Sequence, residues 1–495
     1  MTSIKEVKSN QPSDDDIGNT PSRVHTLEQD NSHDLTPDIS GSDQDLENSL
    51  DEKLIENDPD IDGGYAWVIV IAIILYNFST WGGNSGFAIY LSTYLENNRF
   101  ENADKMDYAY IGGIAFGVGV LFSPFITVLI GLIGFKNVLI IGNCLQFTAL
   151  MLASFATKLW QLYLTQGLMN SFGLAFISIP AITLLPQYFK KKRVLAMGLG
   201  TAGSGLGGIV YNLAMNKLVE VRSVSWALRA QSIMQFGMVW IAILITKSKT
   251  ENYNIEFKLY DAKIMKSLLF WLIIFFTITC SFGYVILLYQ LANFTVSLGY
   301  SEYQGSIVSA MVQVGSCFGR PPVGYLSDRF GSATVGSIIY IIVGIFALAM
   351  WIPARNYATV IIFALIQGAL MGSLYVIIAP LIARCFGINK MNMIFAYTWF
   401  FLGLSGIFSP VIGLKLTTGS ASGYDPTRYV DPAIFSGVVF LASGVSLLLI
   451  KGHLTARDYE LNAKETLLDT DKLVDTKVPI RKMITNIFRK NLQPA

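Results

Sequence analysis

Charge is scarce in this chain. Of its 495 residues only 14% are Asp, Glu, Lys or Arg, while 52% are hydrophobic. Soluble domains carry about a quarter charged residues. Acid is scarcest in the body of the chain, because 16 of the 35 Asp and Glu fall in the first 61 residues, against four bases there. The rest is apolar and mildly basic, so the formal charge of +1 averages two unlike regions and implies no nucleic-acid partner. Histidine is nearly absent: His25, His33 and His453 all lie in or beside the tails. Four cysteines, Cys144, Cys280, Cys317 and Cys385, are scattered through apolar segments. Their spacing fits neither a disulfide framework nor a metal cluster. No nucleophile–base pair is legible either, so the chain is expected to be no enzyme and to hold no cofactor or metal. Residues 1–61, rich in Ser, Asp, Asn and Pro, have too little apolar surface to bury and read as a disordered acidic tail. They lack the short apolar core of a secretory signal, which leaves membrane targeting to the first span.

Long apolar runs, by contrast, are abundant. About 20 apolar residues suffice to cross a bilayer. Twelve such runs are predicted, at 65–92, 108–132, 137–156, 160–185, 194–216, 224–246, 268–293, 303–323, 333–352, 356–383, 392–415 and 431–450. The links are short and polar. The longest internal one, 247–267, carries five lysines and divides the chain into bundles of six helices, 62–246 and 268–452, before a tail at 453–495. Lys and Arg mark the cytoplasmic side of membrane proteins. With both termini inside, the inner loops hold thirteen bases and the outer links eight; the block Lys190-Lys191-Lys192-Arg193 decides the orientation. The chain is thus expected in the plasma or vacuolar membrane, with both tails cytoplasmic. The bilayer is its surrounding partner, and nothing argues against a monomer.

The two halves share punctuation at an offset of about 200 residues. Gly167 to Pro180 matches Gly368 to Pro380, and Pro124 with Gly134 matches Pro321 with Gly331. The fifth and eleventh runs are both rich in small residues, around Gly200–Gly208 and Gly403–Gly406. Small residues let helices pack closely. Repeated bundles with a site between them are a common transporter plan. The fold class that follows is an all-α membrane protein of twelve transmembrane helices in two pseudo-symmetric bundles.

One charge breaks the apolar pattern. Arg320 lies deep in the eighth run, and apart from Asp431 at the edge of the last run no Asp, Glu or His falls inside a predicted span. An arginine at bilayer depth costs roughly 2.5–3.5 kcal/mol on insertion scales and usually faces a cavity. Its planar fork suits an anion or a carbonyl; it also suits a strut to backbone carbonyls. Arg229 follows Trp226 near a span end and is expected to snorkel. Other polar and aromatic side chains are candidates for lining a cavity: Trp81, Asn84, Ser85, Asn170, Tyr284, Gln313, Ser316, Gln367 and Tyr375. Tyr397 and Trp399 are expected to serve packing or the interface. The abundance of amides and rings leans toward a larger, planar or hydrogen-bonding solute.

The segment Gly324-Tyr-Leu-Ser-Asp328-Arg329-Phe-Gly331 resembles the loop signature of the major facilitator superfamily. The resemblance implies a conformational latch formed by Gly324, Asp328, Arg329 and Gly331. In the first half the equivalent is degenerate, with Thr127 and Gly131 in place of the Gly and Asp. Asp62-Gly-Gly-Tyr-Ala-Trp67 and the stretch Tyr188 to Ser204 resemble two motifs of monocarboxylate porters. Phe78-Ser-Thr-Trp-Gly82 and the acidic tail look like the fungal branch of that family, which includes a riboflavin carrier. The likeness covers about residues 60–452. It implies alternating access, a small organic solute as cargo, and substrate recognition by Arg320. Two positions depart from the proton–lactate pattern: the helix-eight acid is Ser316 and the helix-one lysine is Ser85. Serine does not titrate near pH 7. The reading is therefore a secondary transporter that is not an obligate proton–lactate symporter. Its alternatives are a proton-coupled carrier of an organic anion and a non-transporting sensor on the same fold.

Overall fold

The computed structural model describes residues 61–96, 100, 103–247, 260–387, 390–417, 425–462 and 478–489. The acidic tail before residue 61, most of the central lysine-rich loop and most of the tail beyond 462 lie outside the described residues. Helix dominates, and no strand occurs among the described residues.

Twelve long helical runs follow the apolar pattern. They are α1 (Ala66–Ser85), α2 (Lys105–Leu121 continued by Ser123–Ile133), α3 (Phe135–Ala153), α4 (Leu159–Tyr188), α5 (Arg193–Val221) and α6 (Val224–Ile245) in the first half. The second half holds α7 (Leu268–Ser297), α8 (Glu302–Phe330), α9 (Ser332–Trp351), α10 (Tyr357–Phe386), α11 (Met391–Leu416) and α12 (Val430–Asn462). Ten are long and apolar enough to cross a membrane, and α2, bent by 49°, makes eleven. The remaining run, α8, is 29 residues long but too polar to qualify by composition. Several of its polar side chains are buried within the protein: Ser316, Arg320 and Ser327 are inside, while Phe318 and Tyr325 point out.

The sequence repeat is visible in the backbone. Gly134 and Gly331 both take the left-handed φ that only glycine adopts freely, at 86° and 91°, and each starts the next helix. Pro180 and Pro380 lie inside α4 and α10. The last helix outruns its apolar stretch. It continues to Asn462, past residue 452, because Arg457 is fully buried and caps the end of α10 through the carbonyls of Cys385 and Arg384, at 2.8 and 3.1 Å. Those carbonyls are among the acceptors that a helix end leaves open. Asp458 beside it pairs with Arg384 at 2.6 Å.

Two seams join the halves. Helix α5 packs along α8, and α2 along α11. Both are backbone-close. A Cβ on Gly117 would lie 2.5 Å from the Gly403 carbonyl oxygen, and one on Gly205 would lie 2.7 Å from the Cys317 amide. Small residues therefore set the approach distance, as their density in the sequence suggested.

Helix α1 is not a continuous α-helix. A π-helical turn spans Phe78–Gly82, and the α-helical phase breaks again at Gly86 before Phe87–Glu96. Gln231 of α6, itself buried, holds the two pieces together. Its Nε2 donates to the Gly83 carbonyl at 3.1 Å, and its Oε1 accepts from Tyr90 Oη at 2.5 Å.

The entry of α1 is clipped to the loop before α5. Asp62 sits at φ 57°, a left-handed value that Asp tolerates better than most residues. Its carboxylate accepts from the backbone amides of Lys190, Lys191 and Lys192 at 3.2, 2.9 and 3.1 Å. Tyr65 Oη donates to the Ile245 carbonyl at 2.8 Å, and Trp67 meets Phe189 edge-on at 5.2 Å. This accounts physically for the Asp-Gly-Gly-Tyr-Ala-Trp run: it ties the starts of α1 and α5 and the end of α6. Asp62→Ala is expected to lower stability by about 1–2 kcal/mol, the loss of an acceptor shared by several amides. The thermal midpoint of the purified protein checks this. Asp62→Gly, which accepts the backbone angle but not the hydrogen bonds, should lose nearly as much.

Candidate functional site

Arg320 is the centre of the polar interior. Its helix, α8, carries Pro321 and Pro322 just beyond it and lies against α5. The guanidinium is 3% exposed. Nη1 donates across the seam to the Thr201 carbonyl at 2.5 Å and to Ser204 Oγ at 2.6 Å, both on α5. Nε has no partner. Among the described residues no carboxylate pairs with this charge; the polar groups facing it are Tyr284, Tyr340, Tyr375 and Cys317. Tyr375 lies with its ring centre 5.7 Å from the guanidinium carbon. A buried cation without an acid is costly unless hydrogen bonds and aromatic faces share its charge.

Rings gather beside it. Trp81, Tyr375 and Trp399 form a triangle with centroid separations of 5.8, 5.8 and 6.0 Å. Phe116 meets Trp81 at 5.3 Å, and Tyr284 meets Tyr375 edge-on at 5.8 Å. Trp81 comes from the π turn of α1 and Phe116 from α2; Tyr284, Tyr375 and Trp399 come from α7, α10 and α11. The cluster thus draws on both halves of the chain.

The other candidates divide by position. Ser316, one turn before Arg320, is buried with its hydroxyl unpartnered. Gln313 lies against Gly208 of α5, where an added Cβ would come within 2.9 Å of it. Asn170 on α4 is buried with an unpartnered Oδ1. Gln367 donates to the Val343 carbonyl of α9 at 3.1 Å, a bond inside the second half. Asn84 is half-buried in the short piece of α1 after the π turn. Ser85 donates to the Gly82 carbonyl at 2.6 Å and accepts from Asn212 of α5. Ser316, Arg320, Tyr284 and Tyr375 therefore form one neighbourhood, with Gln313 two turns along the same seam. Gln367 and Ser85 make their bonds elsewhere. Arg229 reaches Ser154 at 3.0 Å and stacks on Phe155, near the end of its helix as expected.

The residues around the signature loop are engaged. The Asp328 carboxylate accepts from the Val194 and Leu195 amides at 2.9 and 2.8 Å, at the first turn of α5. A Cβ on Gly324 would lie 2.5 Å from the Val194 carbonyl. Gly331 supplies the left-handed turn into α9. Arg329 rests near the ring of Phe330 at 5.6 Å. The loop from Lys190 to Leu195 is therefore held by two carboxylates, Asp62 from its own half and Asp328 from the other.

Sequence reasoning missed several neighbours. Thr201 and Ser204 were legible only as members of a small-residue run, although their spacing of three places them on one helix face with Gly198 and Gly205. Trp399 was expected to serve packing or the interface. It does pack, but at the centre of the ring cluster. Gly372 left no signal; it lies at the break in α10, close against Arg320.

The sequence model of the Major Facilitator Superfamily matches residues 67–410 and again 270–492. The chain belongs to the major facilitator superfamily. A Saccharomyces cerevisiae protein named "Probable transporter MCH2" is 43% identical over 438 residues, 88% of this chain and 92% of its own. The yeast "Uncharacterized transporter ESBP6" is 32% identical over 421 residues, 82% of this chain and 61% of its own. The solved structure of FucP, a superfamily transporter in the outward conformation, superposes with a TM-score of 0.58 at 15% identity, covering 77% of this chain and 99% of FucP. This superfamily member thus stands among fungal relatives, is all-α, and is a multi-pass membrane transporter rather than an enzyme. The expected absence of catalytic machinery agrees with that membership.

Proposed function

We propose that this transporter carries an organic anion by alternating access, with Arg320 receiving the negative charge and without an obligatory proton. One observation carries the reading: Arg320 is a buried guanidinium with a donor unpartnered and no acid at hand among the described residues. An anionic cargo supplies the countercharge that the protein does not. Ser316 and Ser85, which replace the titratable positions of the proton–lactate pattern, support uncoupled transport, since neither hydroxyl ionises near pH 7.

The bundles 62–246 and 268–452 are the moving bodies of this scheme, and the seams α5–α8 and α2–α11 are where they part. The face bearing Asp62, the Lys190–Arg193 block and Asp328 is cytoplasmic on the positive-inside rule, as are both tails. Asp328 of α8, bound to the first turn of α5, acts as the cytoplasmic latch, with Gly324, Arg329 and Gly331 shaping its loop. The surrounding membrane is the plasma or the vacuolar membrane, and fractionation of tagged protein distinguishes them.

Comparing the metabolites of deletion and overexpressing cells identifies the cargo. The coupling is tested directly with purified protein in vesicles. A lactate gradient is expected to leave the external pH unchanged. Robust lactate-driven alkalinisation outside the vesicles overturns the uncoupled reading.

A further inference from the structure

We infer that the cargo of this transporter carries a planar aromatic ring as well as its negative charge, with the charge on the Nε–Nη2 edge of Arg320 and the ring against Trp81, Tyr375 and Trp399. This rests on the reading of Arg320 as the anion site and goes beyond it to the class of molecule.

The guanidinium has two usable edges. Nη1 is committed to α5 through Thr201 and Ser204. Nε is buried and unpartnered. The Nε–Nη2 edge faces Gly372, where an added Cβ would lie 2.9 Å from both nitrogens. That edge is packed against the Gly372 backbone, and the Tyr284 hydroxyl lies within reach of the guanidinium. The same edge has two parallel N–H groups that match the two oxygens of a carboxylate.

Tyr375 connects this edge to the rings. Its centre lies 5.7 Å from the guanidinium carbon and 5.8 and 6.0 Å from the centres of Trp81 and Trp399. The three rings are inclined to one another by 41°, 33° and 41°, neither stacked nor edge-on. Aromatic pairs favour offset stacking or perpendicular contact. Within the triangle neither is met; Trp81 and Tyr375 make their edge-on contacts outside it, to Phe116 and Tyr284, and Trp81 is the one of the three that is only half-buried. A flat ring entering as the halves part would stack between faces that now meet one another at these angles. A short aliphatic acid would meet Arg320 and leave the triangle unengaged. Trp81 belongs to the first half and Tyr375 and Trp399 to the second, so a ring held between them touches both. Only a ligand with different affinity for two states shifts their balance, and this placement provides that difference.

The test uses the full-length protein in nanodiscs, with binding read from the thermal unfolding midpoint at graded ligand concentration. Pyruvate and phenylpyruvate differ by a phenyl group; benzoate and benzamide differ in charge. Phenylpyruvate is expected to bind at least about tenfold more tightly than pyruvate, a difference of about 1.4 kcal/mol, and benzoate to shift the midpoint where benzamide does not. Trp81→Leu should reduce phenylpyruvate affinity about tenfold and that of pyruvate by much less, while Gly372→Ala should weaken both acids. Pyruvate binding as tightly as phenylpyruvate overturns the ring requirement and leaves Arg320 as an anion site. Benzamide matching benzoate overturns the anion site. Binding of none of the four overturns both. The ligand series on the unaltered protein decides the matter even if a variant fails to fold.

Discussion

Arg320→Gln is expected to reduce transport of the cargo by about 10²-fold or more, with the protein still reaching the membrane. Truncating one partner of a buried, hydrogen-bonded charge pair commonly costs 2–5 kcal/mol or more. Here the pair is completed by the cargo. The substitution removes the charge and the fork, and it weakens the bonds to Thr201 and Ser204 across the α5–α8 seam. Two controls separate recognition from bracing. Ser204→Ala deletes one of those bonds but keeps the cation, and it should leave most transport intact. Arg320→Lys keeps the charge without the planar fork, and it should remain strongly impaired. Uptake into vesicles measures all three, with surface yield and thermal midpoint checking the fold. Normal uptake by Arg320→Gln would show that the arginine only braces the seam.

Asp328→Ala is expected to open the face on which Asp328 lies. Its carboxylate accepts two amides at the first turn of α5, where the helix dipole also favours negative charge. Charge-assisted bonds of this kind are each worth about 1.5–3 kcal/mol when well formed. Asp328 is half-buried, so a total of about 1.5–3 kcal/mol is appropriate, a shift of about 10- to 100-fold between conformations. Cys317 reports on this seam, because it is buried on α8 against Gly205 of α5. In a background with Cys144, Cys280 and Cys385 changed to Ser, labelling of Cys317 by a hydrophilic maleimide should accelerate by that factor. Asp328→Asn retains an acceptor oxygen and should fall between. An unchanged labelling rate in Asp328→Ala means that the contact holds no state closed.

Much of this architecture was legible because bilayer solvation leaves little choice. Runs of about 20 apolar residues must be helices, and glycine and proline punctuation recurs in both halves, as Gly134 and Gly331 illustrate with their matching backbone angles. Arg320 was legible for the same reason: a charge in such a run is expensive enough to need a purpose. What could not be read was pairing across the seams. Thr201 accepts from Arg320 with its backbone carbonyl, which no side-chain pattern announces. Gly372 matters for an absent side chain. Trp399 looks in sequence like any membrane tryptophan, and only the crossing of α1, α10 and α11 gives it Trp81 and Tyr375 as neighbours. Helix α8, read in the sequence as the eighth run, is the most polar of the twelve, and what it packs against explains that polarity.

The π turn in α1 has a consequence for how positions along this helix are compared with those of other chains. Such a turn accommodates an extra residue in one loop of helix, and each residue of an α-helix advances by about 100°. Residues before Phe78 and after Gly82 are therefore out of rotational phase. Counting by threes and fours through Trp81 assigns the wrong side to whatever follows. Ser85 lies beyond the slip and bonds with Gly82 and Asn212 rather than with the neighbourhood of Arg320. Whether another chain places a given side chain toward or away from the centre then depends on whether it has the same turn, and a single deletion within Phe78–Gly82 would swing everything up to Gly86 around the axis without changing one side chain in it.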